Sequence, residues 1–151
     1  MSDLSFQDIL NQPLSEIEAP KAAPVGTYLG LIEGQPEFVK LGQNQTDAVN
    51  FNIKLMQPMK VDDKQLEEYL NGSALSEMRP IRHRLFLTRD SKYRVKQFLV
   101  DHLGIQFDEK KTTLGQAIPE AMGKQVVVEL GHQASQDGTQ VFNIVKSTAK
   151  V

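Results

Sequence analysis

A dense group of cations near the middle of this 151-residue chain is its strongest chemical feature. The segment from Arg79 to Lys96, called the basic segment below, holds seven lysines and arginines and a single acidic residue, Asp90. Its net charge is therefore +6 over 18 residues, although the formal charge of the whole chain is only -2. A local field of this strength attracts polyanions. The segment favours a phosphate-rich binding partner.

Aromatic and amide side chains accompany these cations at the two-residue spacing of a β-strand. Arg82, Arg84 and Phe86 fall on one face of a strand predicted over 81–88. The polar face of the strand predicted over 48–56 consists of Asn50, Asn52 and Lys54. If these two strands pair, both rows lie on one concave surface. Single-stranded nucleic acid is bound by such a surface, because cations follow its phosphates and aromatic rings stack on its bases.

The predicted groove has a path for phosphates and platforms for bases. The residues predicted to neutralise phosphates are Lys54, Arg82, Arg84 and Arg89, with Lys40 and Lys124 extending the path. Four aromatic residues are candidates for stacking: Tyr28, Phe38, Phe86 and Tyr93. Tyr28 and Phe86 are preferred, because both fall opposite neighbouring core positions. The turns 41–47 and 133–139 are expected to flank the groove, as loops do in small barrels that bind oligonucleotides. A solvated charged strand beside an ordinary amphipathic helix is the alternative interpretation of these residues.

The sequence contains no motif of catalysis or of metal binding. There is no cysteine, and His83, His102 and His132 lack the paired spacing of metal ligands. Neither H-E-x-x-H nor G-x-S-x-G occurs. The acidic pair Asp62-Asp63 is interpreted as a helix cap rather than as a cation site. We therefore expect a protein that is not an enzyme and that has no metal or cofactor.

Turn residues and hydrophobic periodicity divide the chain after residue 24 into five strands and two main helices. The predicted strands are Tyr28–Glu33, extending to Val39 across a bend at Gly34 and Pro36, then Ala48–Met56, Ile81–Thr88, Gln125–Leu130 and Thr139–Val145. The predicted helices are Asp62–Leu70 and Ser91–Leu103, with a helical turn near Leu114–Met122. This order is that of the OB-fold, a mainly β, five-stranded Greek-key barrel with a helix between strands 3 and 4. The short helix between strands 2 and 3 is an addition. Another small α+β sheet with one face covered by the long helix is the alternative.

The first 24 residues differ from the rest in charge and in proline content. Residues 1–21 have a net charge of -3, whereas residues 22–151 have a net charge of +1. Pro13, Pro20 and Pro24 interrupt regular structure there. We predict a flexible acidic arm over 1–24 and one domain over 25–151. The arm is either a disordered tail or a segment that docks on a partner or on its own domain.

Membrane and export signals are missing from the sequence. No apolar run approaches the roughly 18 residues of a membrane span. The N-terminus has no basic region followed by an apolar one, as a secretory signal would. We therefore expect a cytoplasmic protein with no membrane partner.

Residues 24–151 resemble the phage-encoded OB-fold proteins that bind single-stranded DNA. The segments that carry the resemblance are Pro24–Tyr28, Arg82–Leu87, Tyr93–Leu99 and Met122–Val128. The resemblance implies sequence-nonspecific coating of single-stranded DNA during phage replication or recombination, in the cytoplasm of the host and without catalytic residues. Proteins of this kind commonly carry an acidic C-terminal tail for partners, whereas the acidic segment of this chain is N-terminal.

Two questions about partners stay open at the level of sequence. The arm is a candidate contact for replication or recombination proteins, and pairing of an edge strand, the first or the fifth, would allow a homo-oligomer. The alternative function is a protein-interaction or virion-associated module built on an OB-like barrel. The apolar and acidic residues of the arm favour that alternative.

Overall fold

The computed structural model describes residues 21–151 continuously, together with residues 10, 11, 13 and 14. This part of the chain is mainly β, with six strands in one antiparallel sheet. The strands are β1 (Gly26–Ile32), β2 (Glu37–Leu41), β3 (Thr46–Val61), β4 (Ile81–Phe86), β5 (Gln125–Ala134) and β6 (Val141–Ala149). Short helices connect them: α1 (Asp63–Leu70), α2 (Lys92–Gln97) and α3 (Leu114–Ala117). A π-helical turn at Phe98–His102 continues α2, a 3-10 turn at Ile118–Ala121 continues α3, and another 3-10 turn lies at Leu75–Glu77.

The long strand β3 organises the sheet because it pairs along both of its edges. Strands β1 and β2 follow one another along one edge, with Ile32 opposite Ile53 and Glu37 opposite Asn50. Strand β4 occupies the other edge, and β1 in turn pairs with β5, which pairs with β6. Strands β4 and β6 lie side by side at the two ends of this path without a hydrogen-bonded ladder between them. The sheet is therefore open at the seam between β4 and β6.

The first predicted strand is divided in two, which explains why six strands are seen where five are predicted. Gly34 has a φ of +71° between β1 and β2, a left-handed conformation that glycine adopts readily because it has no Cβ. Pro36 follows and lacks the N–H that a continuous ladder would use. The predicted bend lies at this point, and the chain resumes its pairing with β3 after it. The coarse prediction of a mainly β fold is confirmed.

The core lies on the inner face of the sheet, beneath α2 and its π-helical turn. The alternation predicted for β3 is confirmed, because Val49, Phe51, Ile53 and Leu55 are all buried. The ring of Phe98 packs on that of Phe51 with their centroids 4.9 Å apart. The predicted helix 91–103 covers this face as expected, but its hydrogen bonding changes from α to π after Gln97.

The short helix α1 begins and ends at the residues that the sequence indicates. The Oδ2 atom of Asp62 accepts a hydrogen bond from the backbone N–H of Gln65 at 2.9 Å, which is the predicted N-terminal cap. Asn71 ends the helix in the left-handed conformation. None of the helices in the described part has both the length and the apolar surface that crossing a bilayer requires.

The last residues of the predicted arm, just before Pro24, are packed on the sheet. Ala23 is 0% exposed, and its backbone is hydrogen-bonded to side chains of β5 and β6. Residues 22–24 therefore belong to the folded body rather than to a flexible arm. The rest of the predicted arm, apart from positions 10, 11, 13 and 14, lies outside the described residues.

Candidate nucleic-acid interface

A cleft of about 620 Å³ opens along the seam between β4 and the start of β6. The basic residues that line the cleft are Lys21, Arg79, Arg82 and Arg84. No aspartate or glutamate of the described residues is among its lining side chains. Four cations without a carboxylate give this cleft a positive field, and low-dielectric walls concentrate such a field.

Strand β4 supplies the cationic wall. Its side chains alternate between a buried row that includes Ile81 and an exposed row made of Arg82, Arg84 and Phe86. Arg82 lies opposite Asn52 of β3, and Arg84 lies opposite Asn50. The prediction that these two strands pair, and that their polar rows share a face, is confirmed.

Asn50 and Arg84 are joined by a hydrogen bond. The Nε–H of Arg84 donates to Oδ1 of Asn50 at 2.9 Å, and Asn50 is only 3% exposed. Asn50, predicted as a nucleic-acid contact, therefore has almost no surface to offer to a ligand. Asn52, one step along the same face, is half-buried and lines the cleft.

The opposite wall comes from the beginning of β6, and its apolar part, called the apolar wall below, lies between the amides Gln140 and Asn143. Val141 and Phe142 line the cleft, and Phe142 is 45% exposed. The turn between β5 and β6, which the sequence places beside the groove, leads into Gln140 at the same wall. Sequence reasoning missed Phe142; the available signal was one aromatic residue just after the Asp137-Gly138 turn. A partly exposed ring that lines the same cleft as several cations is suited to stacking a base while its phosphate is neutralised.

The segment before β1 also lines the cleft. Lys21 and Ala22 line it, and the next residue, Ala23, is held by the side chains of Asn143 and His132. Lys21 was assigned to the arm, and Arg79 was counted in the basic segment but lay outside the predicted strand. Neither was predicted as a site residue, because their proximity depends on contacts between the first and last parts of the body.

The structure also corrects the stacking role predicted for Tyr28. This side chain is 0% exposed, and its hydroxyl donates a hydrogen bond to the carbonyl of Pro24 at 2.6 Å. It shares the inner face of β1 with Gly30 and Ile32, and its partner on β5 is the core residue Val128. Burial, assisted by the nearby Tyr69, raises the pKa of Tyr28 to about 12. A ring enclosed in this way has no face to offer to a base.

The remaining predicted contacts lie outside the cleft lining. Phe86 is partly exposed at the end of β4 and continues the arginine row beyond the cleft. Lys54 is half-buried on β3, Arg89 is exposed just after β4, and Lys124 is exposed before β5. The Nζ atom of Lys40 is 2.9 Å from Oδ1 of Asp47, and this surface ion pair offsets its charge. The structure thus brings together Arg82, Arg84 and Asn52 from the predicted set.

Comparison with known protein families and with curated proteins yields no match to this chain. The candidate site therefore stands on its own geometry.

Burial raises the pKa of Tyr69, which lines the cleft, whereas His83 lies away from the cleft. His83 packs edge-on against Phe98 in the core, with ring centroids 5.0 Å apart. Burial, with a smaller contribution from His102, lowers the pKa of His83 to about 4. Among the described residues, no three histidines or carboxylates lie close enough to hold a metal ion together. The chemistry that the cleft itself offers is charge neutralisation and stacking.

Proposed function

We propose that this protein binds single-stranded DNA, without regard to base sequence, in the cleft between β4 and β6. The observation that carries the proposal is the pairing of a wall of arginines with an apolar wall that exposes Phe142. Phosphates need the first wall and unpaired bases need the second. In a duplex the bases face each other, so the apolar wall would find no free base to stack.

The order of the strands supports the same function. Taken as one bent strand, β1 and β2 match the first strand of an OB-fold, and β3, β4, β5 and β6 match the second to the fifth. OB-folds bind oligonucleotides on the face of their second and third strands, between the loops that follow the first and fourth strands. The cleft lies on that face of β3 and β4, and the turn after β5 leads to its wall. We infer an OB-like barrel whose closure at the β4–β6 seam is incomplete.

The biological setting that we propose is phage DNA replication or recombination. The resemblance of residues 24–151 to phage single-stranded-DNA-binding proteins supports it. A protein with this role coats transiently exposed strands and protects them, which requires affinity for phosphate and base but no covalent chemistry.

A titration of labelled oligothymidylate tests the site. In the double variant Arg82→Ala/Arg84→Ala, two phosphate contacts are lost, so the slope of log affinity against log salt should flatten by about 1.4, or roughly 0.7 for each contact. The double variant Lys92→Ala/Arg94→Ala removes the same charge from α2, outside the cleft lining, and should keep a slope near that of the wild-type protein. Equal slopes in the two double variants would reject the cleft as the binding site.

A gel shift distinguishes the ligand classes. Single-stranded DNA and single-stranded RNA of one sequence have accessible bases, so both should bind more tightly than duplex DNA of that sequence. If the wild-type protein shifts none of these at low salt, the proposed function is wrong. The protein-interaction module then becomes the better hypothesis.

A further inference from the structure

We propose that Asn50 is a positioning residue that orients the guanidinium of Arg84 toward a phosphate in the cleft. This inference rests on the proposed function. Asn50 does not touch the ligand in this scheme, since it is 3% exposed and acts only through its hydrogen bond to Arg84.

The anchor is rigid because of its place in the sheet. Asn50 lies in β3 between Val49 and Phe51, both 0% exposed, and has a paired strand on each side. Its Oδ1 is thus fixed by the core on which the strand packs. The Nε–H of Arg84 donates to this oxygen at 2.9 Å, from the position directly opposite on β4. A hydrogen bond to a fixed acceptor restricts the rotation of the long arginine side chain.

The contact uses one donor of Arg84 and leaves the useful ones free. A guanidinium has five N–H donors in a planar fork, and its two terminal nitrogens form an end that matches two oxygens of a phosphate. The bond to Asn50 engages Nε alone. Within the described residues, Arg84 has no ion pair and no other side-chain hydrogen bond. The terminal edge therefore remains available to a ligand in the cleft that Arg84 lines.

A neutral anchor orients Arg84 without cancelling its charge. Glu37 of β2, Asn50 and Arg84 form one row across three strands. Neighbours in such a row are about 5 Å apart at Cβ, so the amide separates Glu37 from Arg84 by roughly twice that distance. A carboxylate at position 50 would keep the hydrogen bond but would neutralise the cation. The amide supplies the acceptor alone.

Arg82 provides an internal contrast. It lies opposite Asn52 in the same ladder and lines the same cleft, but the structure has no hydrogen bond between these two side chains. Arg82 thus contributes charge from a side chain that is not held, while Arg84 is ordered before the ligand arrives. Ordering a flexible side chain in advance removes part of the entropy cost of binding.

A double-mutant cycle with single-stranded oligothymidylate tests the inference. Asn50→Leu should weaken binding by about three- to tenfold, in proportion to the ordering cost of one arginine. In the Arg84→Ala background the same substitution should have almost no further effect. The matched control Asn52→Leu, opposite Arg82, should weaken binding equally with and without Arg84. A loss from Asn50→Leu that is the same in both backgrounds would overturn the proposal.

A second measurement needs no nucleic acid, so it separates this inference from the proposed function. In the free wild-type protein, the Arg84 Nε–H should give a resolved NMR signal that exchanges slowly with water. Asn50→Leu should abolish that protection, whereas Asn50→Asp should retain it while weakening oligonucleotide binding. Unchanged protection in Asn50→Leu shows that Asn50 does not position Arg84, whether or not DNA binds. If Asn50→Leu does not fold, Asn50→Ala carries the same expectations.

Discussion

The side-chain amide of Asn143 in β6 forms two hydrogen bonds with the backbone of Ala23. It pairs with both the N–H and the carbonyl of that residue, as the backbone of a neighbouring strand would. The N–H of Ala23 donates to Oδ1 at 2.8 Å, and Nδ2 donates to the carbonyl of Ala23 at 2.9 Å. The Nε2 of His132 lies 2.6 Å from the same carbonyl. These bonds fix the segment that carries Lys21, which lines the cleft. Asn143 thereby links the stability of the fold to the proposed binding site.

Replacing Asn143 should weaken both properties. Asn143→Leu leaves the N–H of the fully buried Ala23 without its partner, and we expect the free energy of unfolding to fall by about 1–3 kcal/mol. Oligonucleotide affinity should also fall, because Lys21 is no longer held at the cleft. Urea denaturation and a binding titration measure the two effects. Gln140→Leu, an exposed change at the same wall, should alter stability by less than about 0.5 kcal/mol. Equal losses in the two variants would show that the amide does not hold the segment.

The buried imidazole of His83 predicts a loss of stability in mild acid. The folded protein keeps His83 neutral down to its lowered pKa of about 4, while the unfolded chain takes up a proton near the ordinary value of 6.5. Unfolding therefore binds a proton between these two pH values. The contribution is complete above pH 6.5 and is lost as the pH falls toward 4, by about 3 kcal/mol. Urea unfolding across this range checks the slope. His83→Leu should flatten it, and parallel slopes in the two proteins would contradict the assignment.

Local signals were sufficient to predict most of the secondary structure. The caps of α1 follow from Asp62 and Asn71, which satisfy backbone groups within one turn of their own position. The inward and outward rows of β3 and β4 follow from a period of two. The bend at Gly34 was also visible, although its effect on pairing was not, because the ladder depends on where β3 lies.

The alternation of residues along a strand did not predict how deeply each side chain is buried. Asn50 and Asn52 share a face, but Asn50 lies between Glu37 of β2 and Arg84 of β4 and is 3% exposed, whereas Asn52 borders the cleft. Tyr28 shares the parity of Ile32, and only the pairing with β5 shows that this face points inward. A period of two assigns faces; the neighbouring strands decide which face is closed.

The composition of the cleft was predicted in part. The basic segment gave Arg82 and Arg84 because both lie on one strand. Lys21 and Phe142 were missed because a contact between residues about 120 positions apart brings them together, as the bonds between Ala23 and Asn143 show. No local pattern records a contact of that range.

Phe142, rather than Tyr28, should be the main stacking residue. Phe142→Ala removes a partly exposed ring from the apolar wall and should weaken binding of oligothymidylate by about 1–3 kcal/mol, with little change in stability. Phe38→Ala removes a ring that is 59% exposed on β2, outside the cleft lining, and should leave affinity unchanged. Fluorescence titration compares the two. Affinity that falls equally in both variants would mean that stacking is not localised in the cleft.

Tyr28→Phe should lower stability without changing oligonucleotide affinity, which is the reverse of the effect expected for Phe142→Ala. The substitution keeps the ring and removes the hydroxyl that donates to the carbonyl of Pro24. We expect the free energy of unfolding to fall by about 0.5–1.5 kcal/mol, the net value of one hydrogen bond. Oligonucleotide affinity should stay at the wild-type level in conditions where both proteins are folded. A loss of affinity with unchanged stability would mean that the hydroxyl contacts the ligand, which its hydrogen bond to the Pro24 carbonyl argues against.

Removing residues 1–20 should strengthen DNA binding at low salt. These residues carry four carboxylates and no lysine or arginine, and the chain joins the body at Lys21, which lines the cleft. Negative charge that is tethered to a cationic cleft competes with phosphate for the cations. Salt weakens this competition, because charges are screened over about 10 Å at 0.1 M. The deletion keeps Ala23 and its hydrogen bonds, so the body stays intact.

A full-length variant controls for the change in chain length. It should gain affinity as the deletion does, and its four substitutions are Asp3→Asn, Asp8→Asn, Glu16→Gln and Glu18→Gln. Titrations at two salt concentrations measure the oligonucleotide affinity of both variants. If both bind as weakly as the wild-type protein at the lower salt concentration, the acidic residues do not act on the cleft.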